Sequence, residues 1–353
     1  MNRKTKNCCS RSFRNAVLTL GLAAVLALLP SCSQKEQAPD TLRVGVALYT
    51  QDDTFISTIL TNMERLAQET EQKAGIKINL SIADGRSNQT TQLEQVDRFL
   101  DRGYDILCVN IVDRTAAAVL IDKAQAADVP LIFFNRQPVE EDIQRWEKIY
   151  YVGADAAESG ILQGQLVLDA WRKDQANIDR NGDGVVQYAI LEGEPGHQDA
   201  LLRTEHSVNV LTDAGVEVEK LASESANWNR AQAAARTTQW IETFGERIEV
   251  IFSNNDDMAL GAIDALEAAG AASLPLIVGV DATEPALKAI EAGKLYATVR
   301  NDGAGIAQSI MDLAIAISSG EDPAETLELV DEHYIWLPYR QVTRENLSDF
   351  LYR

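Results

Sequence analysis

Three oxygen-bearing side chains at alternate positions, Asp179, Asn181 and Asp183, followed by Gly184 in the stretch DRNGDGVVQ, form the pattern by which a chain wraps a calcium ion. In a helix–loop–helix hand the twelfth position closes the shell with a bidentate carboxylate. Here that position is Ile190, and the loop runs into VVQYAILEG, apolar and β-rich, so a strand follows it. A solvated turn rich in Asp, Asn and Gly has the same composition, and the loop alone does not decide between the two. A second set of polar residues stands where apolar segments end: Asp53, Asn135, Glu192–Asp199, Asn254–Asp256, Asp281 and Asn301–Asp302. Asp and Asn in such places commonly cap the next helix, and about half are expected to do only that. Capping leaves Phe55, His197, Arg203 and Trp228, interspersed among them, unexplained.

The elements that must position these residues alternate along the whole chain. LRVGVALYT precedes a helical pattern from Phe55 to about Gln72. IKINLSIAD, a helix near Gln89–Arg102, DILCVNIVD, a helix over Ala116–Ala127 and VPLIFFN continue it. After IYYVGAD the rhythm restarts with a helix over Ala157–Trp171, the calcium-like loop and its strand, and a helix over Ala200–Ala214. GVEVEKLAS, a helix over Arg230–Thr243, RIEVIFSNND, a helix to Ala269, LPLIVGVDA and LYATVRND complete it. Unbroken apolar strands alternating with amphipathic helices predict two doubly wound parallel α/β sheets covered on both faces. In such sheets a ligand binds at the carboxyl ends of the strands, where the polar residues stand. No Gly-rich phosphate loop or GxGxxG follows any strand, which disfavours a nucleotide.

The first 31 residues read as a leader: a basic stretch without acidic residues, then AVLTLGLAAVLALLPSC. LLPSC resembles a bacterial lipobox that would leave Cys32 as an acylated first residue, and SQKEQAPDT reads as a polar tether over 32–41. The apolar run is short for a bilayer span. Cleavage removes five basic residues from the 353 and moves the formal charge from −21 to −26. So acidic a chain is a poor nucleic-acid binder and suits an extracytoplasmic protein. Cys8 and Cys9 leave with the leader and Cys32 would carry lipid. Cys108, in apolar DILCVNIV, then has no partner for a disulfide and reads as a small buried hydrophobe.

RVGVALYTQDDTF, FFNRQP, YYVGADAAESGI, GEPGHQDA, WNRAQA, SNNDDMALGAIDAL, VGVDATEPAL and TVRND occur in this order from about residue 42 to residue 350. Together they resemble the periplasmic galactose/glucose-binding proteins, the substrate-binding components of ABC sugar importers. The resemblance implies a type I periplasmic-binding-protein fold: residues 42–153 plus 302–336 and residues 154–301 plus 337–353 as two α/β domains joined by a three-segment hinge. It implies D-glucose or D-galactose in the cleft between them. Asp53 and Asn135 would reach the sugar from the first domain, His197, Asp199, Arg203, Asn255 and Asp281 from the second, and Asn301 from a crossing. Phe55 and Trp228 would cover the apolar faces of the ring, while carboxylates and amides take its hydroxyls. It also implies a structural Ca2+ held by Asp179, Asn181, Asp183, the Val185 carbonyl and Gln187, with Glu249 as the distant bidentate ligand. The implied setting is a lipid-anchored periplasmic monomer that serves ABC permease subunits, with a chemoreceptor partner left open.

Three other classes compete. A glycosidase would pair two of Asp53, Asp199 and Asp281 as acid and base, yet the sequence marks none of them as a raised-pKa acid. A sugar-responsive transcription regulator would carry a basic helix-turn-helix where this chain has a leader. A sensory or adhesive lipoprotein would bind the same sugar without a permease.

Overall fold

In the computed structural model, residues 41–351 are described; the leader, Cys32 and the tether as far as residue 40 lie outside them. The first half of the chain supplies strands β1 (Thr41–Leu48), β2 (Lys77–Asp84), β3 (Ile106–Val109), β4 (Leu131–Phe134) and β5 (Ile149–Gly153). The second half repeats the series with β6 (Val185–Glu192), β7 (Glu217–Ser225), β8 (Val250–Ser253), β9 (Leu276–Asp281) and β10 (Ala297–Arg300). Two short strands near the end, β11 (Tyr334–Trp336) and β12 (Arg340–Thr343), each join a different sheet.

One sheet has the order β11-β5-β4-β3-β1-β2 and is parallel throughout; the other runs β12-β10-β9-β8-β6-β7, with only β12 antiparallel to its neighbour. In each sheet the first strand lies between the second and the third, so successive connections leave in opposite directions. This switch point opens a crevice beyond the carboxyl ends of β1 and β3, and of β6 and β8. The chain passes between the lobes three times: from β5 to the helix Ala156–Lys173, from β10 to the helix Gly303–Ser318, and from β11 to β12.

The inner strands of each sheet are dry on both faces, which explains their unbroken apolar runs, whereas the edge strands β2 and β7 are partly exposed. Val44, Val46 and Cys108 face one core of the first lobe, whereas Ala47, Leu107 and Val109 face the other. In the second lobe Leu191 and Ile251 point one way, Ile190 and Phe252 the other. Fully burying such a side chain contributes roughly 1.5–3 kcal/mol. Cys108 is fully buried, and burial pushes its thiol up to about 12, so it is chemically inert.

Helix starts follow local chemistry. Asp53, Asn88, Asp155, Asn229, Asn255 and Asp302 each accept a first-turn backbone N–H. The helix Ala156–Lys173 lies directly on Gln198–Asp213, because Gly160 and Gly164 leave room for the partner's backbone. A methyl group at Gly160 would sit 3.0 Å from the Arg203 Cα, and one at Gly164 would collide with the Ser207 carbonyl oxygen. Main-chain atoms cannot turn aside, so Gly164→Ala should lower stability by roughly 1–3 kcal/mol in urea unfolding. It should also weaken ligand binding, since the displaced helix carries Asp199 and Arg203. A variant as stable as the parent, as helix propensity alone would give, contradicts the packing argument.

Candidate functional site

The carboxyl ends of the two sheets face each other across one cavity, lined from both lobes. Asp53, Phe55 and Asn135 line it from the first lobe, and His197, Asp199, Arg203, Trp228, Asn255 and Asp281 from the second. Asn301 stays out of the lining. Its N–H donates to the Asp281 carbonyl at 3.3 Å, and its side chain is buried with Oδ1 unpartnered. Tyr49 and Arg136 join the wall, although neither stands among the residues expected from sequence.

Several of these residues cap a helix and still face the cavity. Asp53 Oδ1 accepts the Ile56 N–H at 2.9 Å while Oδ2 accepts the Tyr49 hydroxyl at 2.5 Å. Asn255 Oδ1 caps through the Met258 N–H, and His197 Nδ1 through the Asp199 N–H at 3.1 Å. With Nδ1 accepting, the imidazole proton sits on Nε2, which remains a donor. Burial, helped by Arg136 and Arg203, holds the His197 pKa well below 6.5.

Arg203, 3% exposed, has its N–H groups assigned almost completely. Nε donates to Ser159 Oγ at 3.0 Å and Nη1 to the Asn254 carbonyl at 2.8 Å, while Nη2 donates to Asp199 Oδ2 and to the Tyr339 hydroxyl, both at 3.0 Å. Of its five N–H groups one, on Nη1, is left to offer. Burial pushes the carboxyls of Asp199 and Asp281 up, and Arg203 opposes that in both. Behind Asp281, the fully buried Asp256 accepts the Thr283 N–H at 2.8 Å and the Thr298 hydroxyl at 2.6 Å, which makes it a brace rather than a wall.

The rings are held as firmly. Trp228 meets His197 edge to face, centroids 5.1 Å apart, and its indole lies against the backbone of Gly193, where any Cβ would collide with it. Phe55, 7% exposed, belongs to the first lobe's core and lines the cavity as well. Asn135, Trp228 and Asp281 have φ of 60°, 61° and 117°, in the region that favours glycine. Three residues at positive φ thus surround one cavity. Beside it the lobes touch directly. The Thr54 hydroxyl donates to Asp257 at 2.6 Å, Arg136 pairs with Glu194 at 2.9 Å, and Gln198 donates to Gln137 at 3.3 Å.

The calcium-like loop lies at the opposite end of β6, roughly 23 Å away along an eight-residue strand. Asp179, Asn181, Asp183 and Gln187 are drawn together there: Asp183 Oδ2 accepts from both amides at 2.9 Å, and Asp179 accepts the N–H groups of Gly182, Asp183 and Gly184. Glu249, 1% exposed, accepts the N–H groups of Arg180 and Gln187, and burial raises its pKa. Among the described residues no three His, Cys, Asp or Glu side chains gather closely enough to hold a metal by themselves. With two amides and the Val185 carbonyl added, the set is all oxygen, which fits a hard cation, and a buried Glu249 near Asp179 gains from a neighbouring positive charge. No helix among the described residues is long and apolar enough to cross a membrane.

Comparison with known proteins agrees with the fold and adds kinship. The family model described as a periplasmic binding protein domain matches residues 44–322. The D-galactose/methyl-galactoside binding periplasmic protein of Haemophilus influenzae is 37% identical over 311 residues, 88% of this chain and 92% of that protein. A putative rhizopine-binding protein of Rhizobium meliloti is 32% identical over 309 residues, 87% of this chain and 92% of the relative. A solved ABC transporter solute binding protein from Bacillus halodurans, with bound myo-inositol, superposes with a TM-score of 0.73 at 28% identity, covering 90% of this chain and 99% of that one.

A neutral His197 has a pH signature. The unfolded chain takes up a proton below about pH 6.5 and the folded one does not, so this residue's contribution is complete above that pH and is lost as pH falls through it. Its ring proton shifts should stay constant in NMR spectra from about pH 7.5 to about pH 5.5. A midpoint near 6.5 would contradict the buried, Nδ1-accepting geometry.

Proposed function

The chain belongs to the periplasmic binding protein domain family, and on the strength of the interlobe cavity we propose that it binds a monosaccharide and delivers it to an ABC-type importer. It is a solute-binding protein and not an enzyme. The observation that carries the reading is the composition of the cavity: five charged side chains and two amides for hydroxyls, with the faces of Phe55 and Trp228 for C–H groups. A pyranose needs both, hydrogen-bond partners around its rim and flat apolar surface above and below. Within sugars we favour a hexose, D-galactose or D-glucose, and the 37% identical galactoside-binding relative supports this choice. A cyclitol is the second reading. It presents a similar rim of hydroxyls, and the solved structure at 28% identity holds myo-inositol.

Calorimetry against D-galactose, D-glucose, myo-inositol and D-ribose separates these readings. One of the two hexoses should bind most tightly and ribose poorly, because it lacks the sixth carbon. Trp228→Ala should weaken binding by roughly 1–3 kcal/mol, and Asp53→Ala by at least as much. Ribose or myo-inositol binding as tightly as the hexoses, or parental affinity in both variants, would overturn the hexose reading.

We further propose that the loop from Asp179 binds a structural Ca2+ through Asp179, Asn181, Asp183, the Val185 carbonyl, Gln187 and Glu249. When bound, the ion would neutralise converging carboxylates and tie the start of β6 to Glu249, the residue just ahead of β8. A cation that binds only the folded state at about a hundred times its Kd adds ~2.7 kcal/mol. Chelation should therefore lower Tm, and Glu249→Gln should abolish most of that response. Sugar affinity should change less, given the strand's length between loop and cavity. An unchanged Tm in chelator would remove the ion from the account.

A further inference from the structure

The geometry points to Asn110 as a positioning residue that sets which way the Asn135 amide faces, making Asn135 a hydrogen-bond donor to a ligand hydroxyl oxygen. The inference rests on the reading of the cavity as a sugar site and adds the polarity of one of its contacts. Asn110 follows β3, is fully buried and does not line the cavity. Its backbone is fixed on both sides: its N–H donates to the Ala47 carbonyl at 2.9 Å, and its carbonyl accepts Gln92 Nε2 at 2.9 Å.

Asn110 Nδ2 lies 3.0 Å from the Phe134 carbonyl oxygen. A carbonyl only accepts, so the amide atom facing it must be the nitrogen. The same nitrogen lies 3.3 Å from the Asn135 side chain, so the atom it meets there is the acceptor, Oδ1. The opposite orientation would set the Asn110 oxygen against the Phe134 carbonyl oxygen. It is therefore disfavoured even though Asn110 Oδ1 is left buried without a partner. With Asn135 Oδ1 engaged, Nδ2 is the atom Asn135 has to give, and among the described residues nothing accepts from it. The backbone of Asn135 is pinned as well. Its N–H donates to the Val152 carbonyl at 3.0 Å and the Tyr151 hydroxyl donates to its carbonyl at 3.0 Å, which together hold the left-handed φ of 60°.

A hydroxyl can turn to suit a donor or an acceptor, but a C–F group only accepts. The probes are therefore the monodeoxyfluoro derivatives of whichever panel sugar binds best. Asn110→Asp keeps the shape and removes the donor, so the Asn135 amide should turn its nitrogen to the new carboxylate and offer Oδ1 to the cavity. One derivative should then lose about tenfold or more in affinity relative to the parent sugar and the other derivatives. In an Asn135→Ala background the same substitution should have no selective effect. A uniform loss across all sugars, or no change, would make Asn110 a structural residue and overturn the inference. A second measurement needs neither a variant nor a sugar. In the ligand-free parent protein the Asn110 side-chain amide protons should exchange slowly and show scalar coupling across the hydrogen bond to the Phe134 carbonyl carbon. Free exchange like that of a surface amide would also overturn it. Should no panel sugar bind the parent protein, the proposed function falls, and the amide measurement still decides the role of Asn110.

Discussion

A guanidinium carried into a dry interior must find acceptors for its N–H groups or unfold its surroundings, and Arg203 meets that demand with four partners from four places. Ser159 belongs to the first helix of the second lobe, Asp199 to the helix that carries Arg203, Asn254 follows β8, and Tyr339 lies in the last crossing between the lobes. Removing one partner of such a buried charge typically costs about 3–5 kcal/mol, so these elements are bound to one geometry. The glycines that let the two helices touch, the edge contact of His197 with Trp228, and the raised pKa values of Asp199 and Asp281 all follow from fitting cation and carboxylates into one wall. The arrangement leaves a wall with few spare hydrogen-bonding groups, each aimed into the cavity by something behind it.

The lobes contribute unequally. The second brings most of the charge, and the first brings Asp53, Asn135 and the Phe55 ring. Neither half alone encloses a ligand, so binding depends on both strand ends being held close together. The contacts beside the cavity are few and polar: Thr54 with Asp257, Arg136 with Glu194, and Gln137 with Gln198. Small polar contacts between domains do not lock them, and relative motion is the ordinary expectation for such an interface. A ligand that touches both walls would supply the missing attraction, which is how closure becomes coupled to occupancy.

Much of this was legible in the sequence because parallel strands and their ends carry strong local signals. Unbroken apolar runs announced sheets buried on both faces, and polar residues at their carboxyl ends announced the crevice. Capping proved no argument against a binding role, since Asp53, His197 and Asn255 do both with different atoms or groups. Other features lay beyond reach. The helix Gly303–Ser318 carries Asp312 as its one charged residue, so its exposed face, mostly small and apolar or uncharged, stands out poorly in the sequence. Tyr49 and Arg136 stand next to recognised residues in ALYTQDD and FFNRQP, yet their stacking, with the guanidinium carbon 3.5 Å from the ring centroid, is a tertiary fact that no local pattern encodes. Asn301 sits beside a strand end like the others, with its backbone N–H on the Asp281 carbonyl and its side-chain oxygen buried without a partner.

The central claim, that a sugar sits between the lobes against Trp228, is tested most directly by intrinsic fluorescence. Trp146, Trp171 and Trp240 are buried in cores, and the partly exposed Trp336 lies outside the cavity lining. Titrating the parent protein with D-galactose or D-glucose should give a saturable change in emission. The same titration of Trp228→Phe should give almost none, while calorimetry still registers binding. A full-sized change that persists in Trp228→Phe would place the sugar elsewhere and contradict the account.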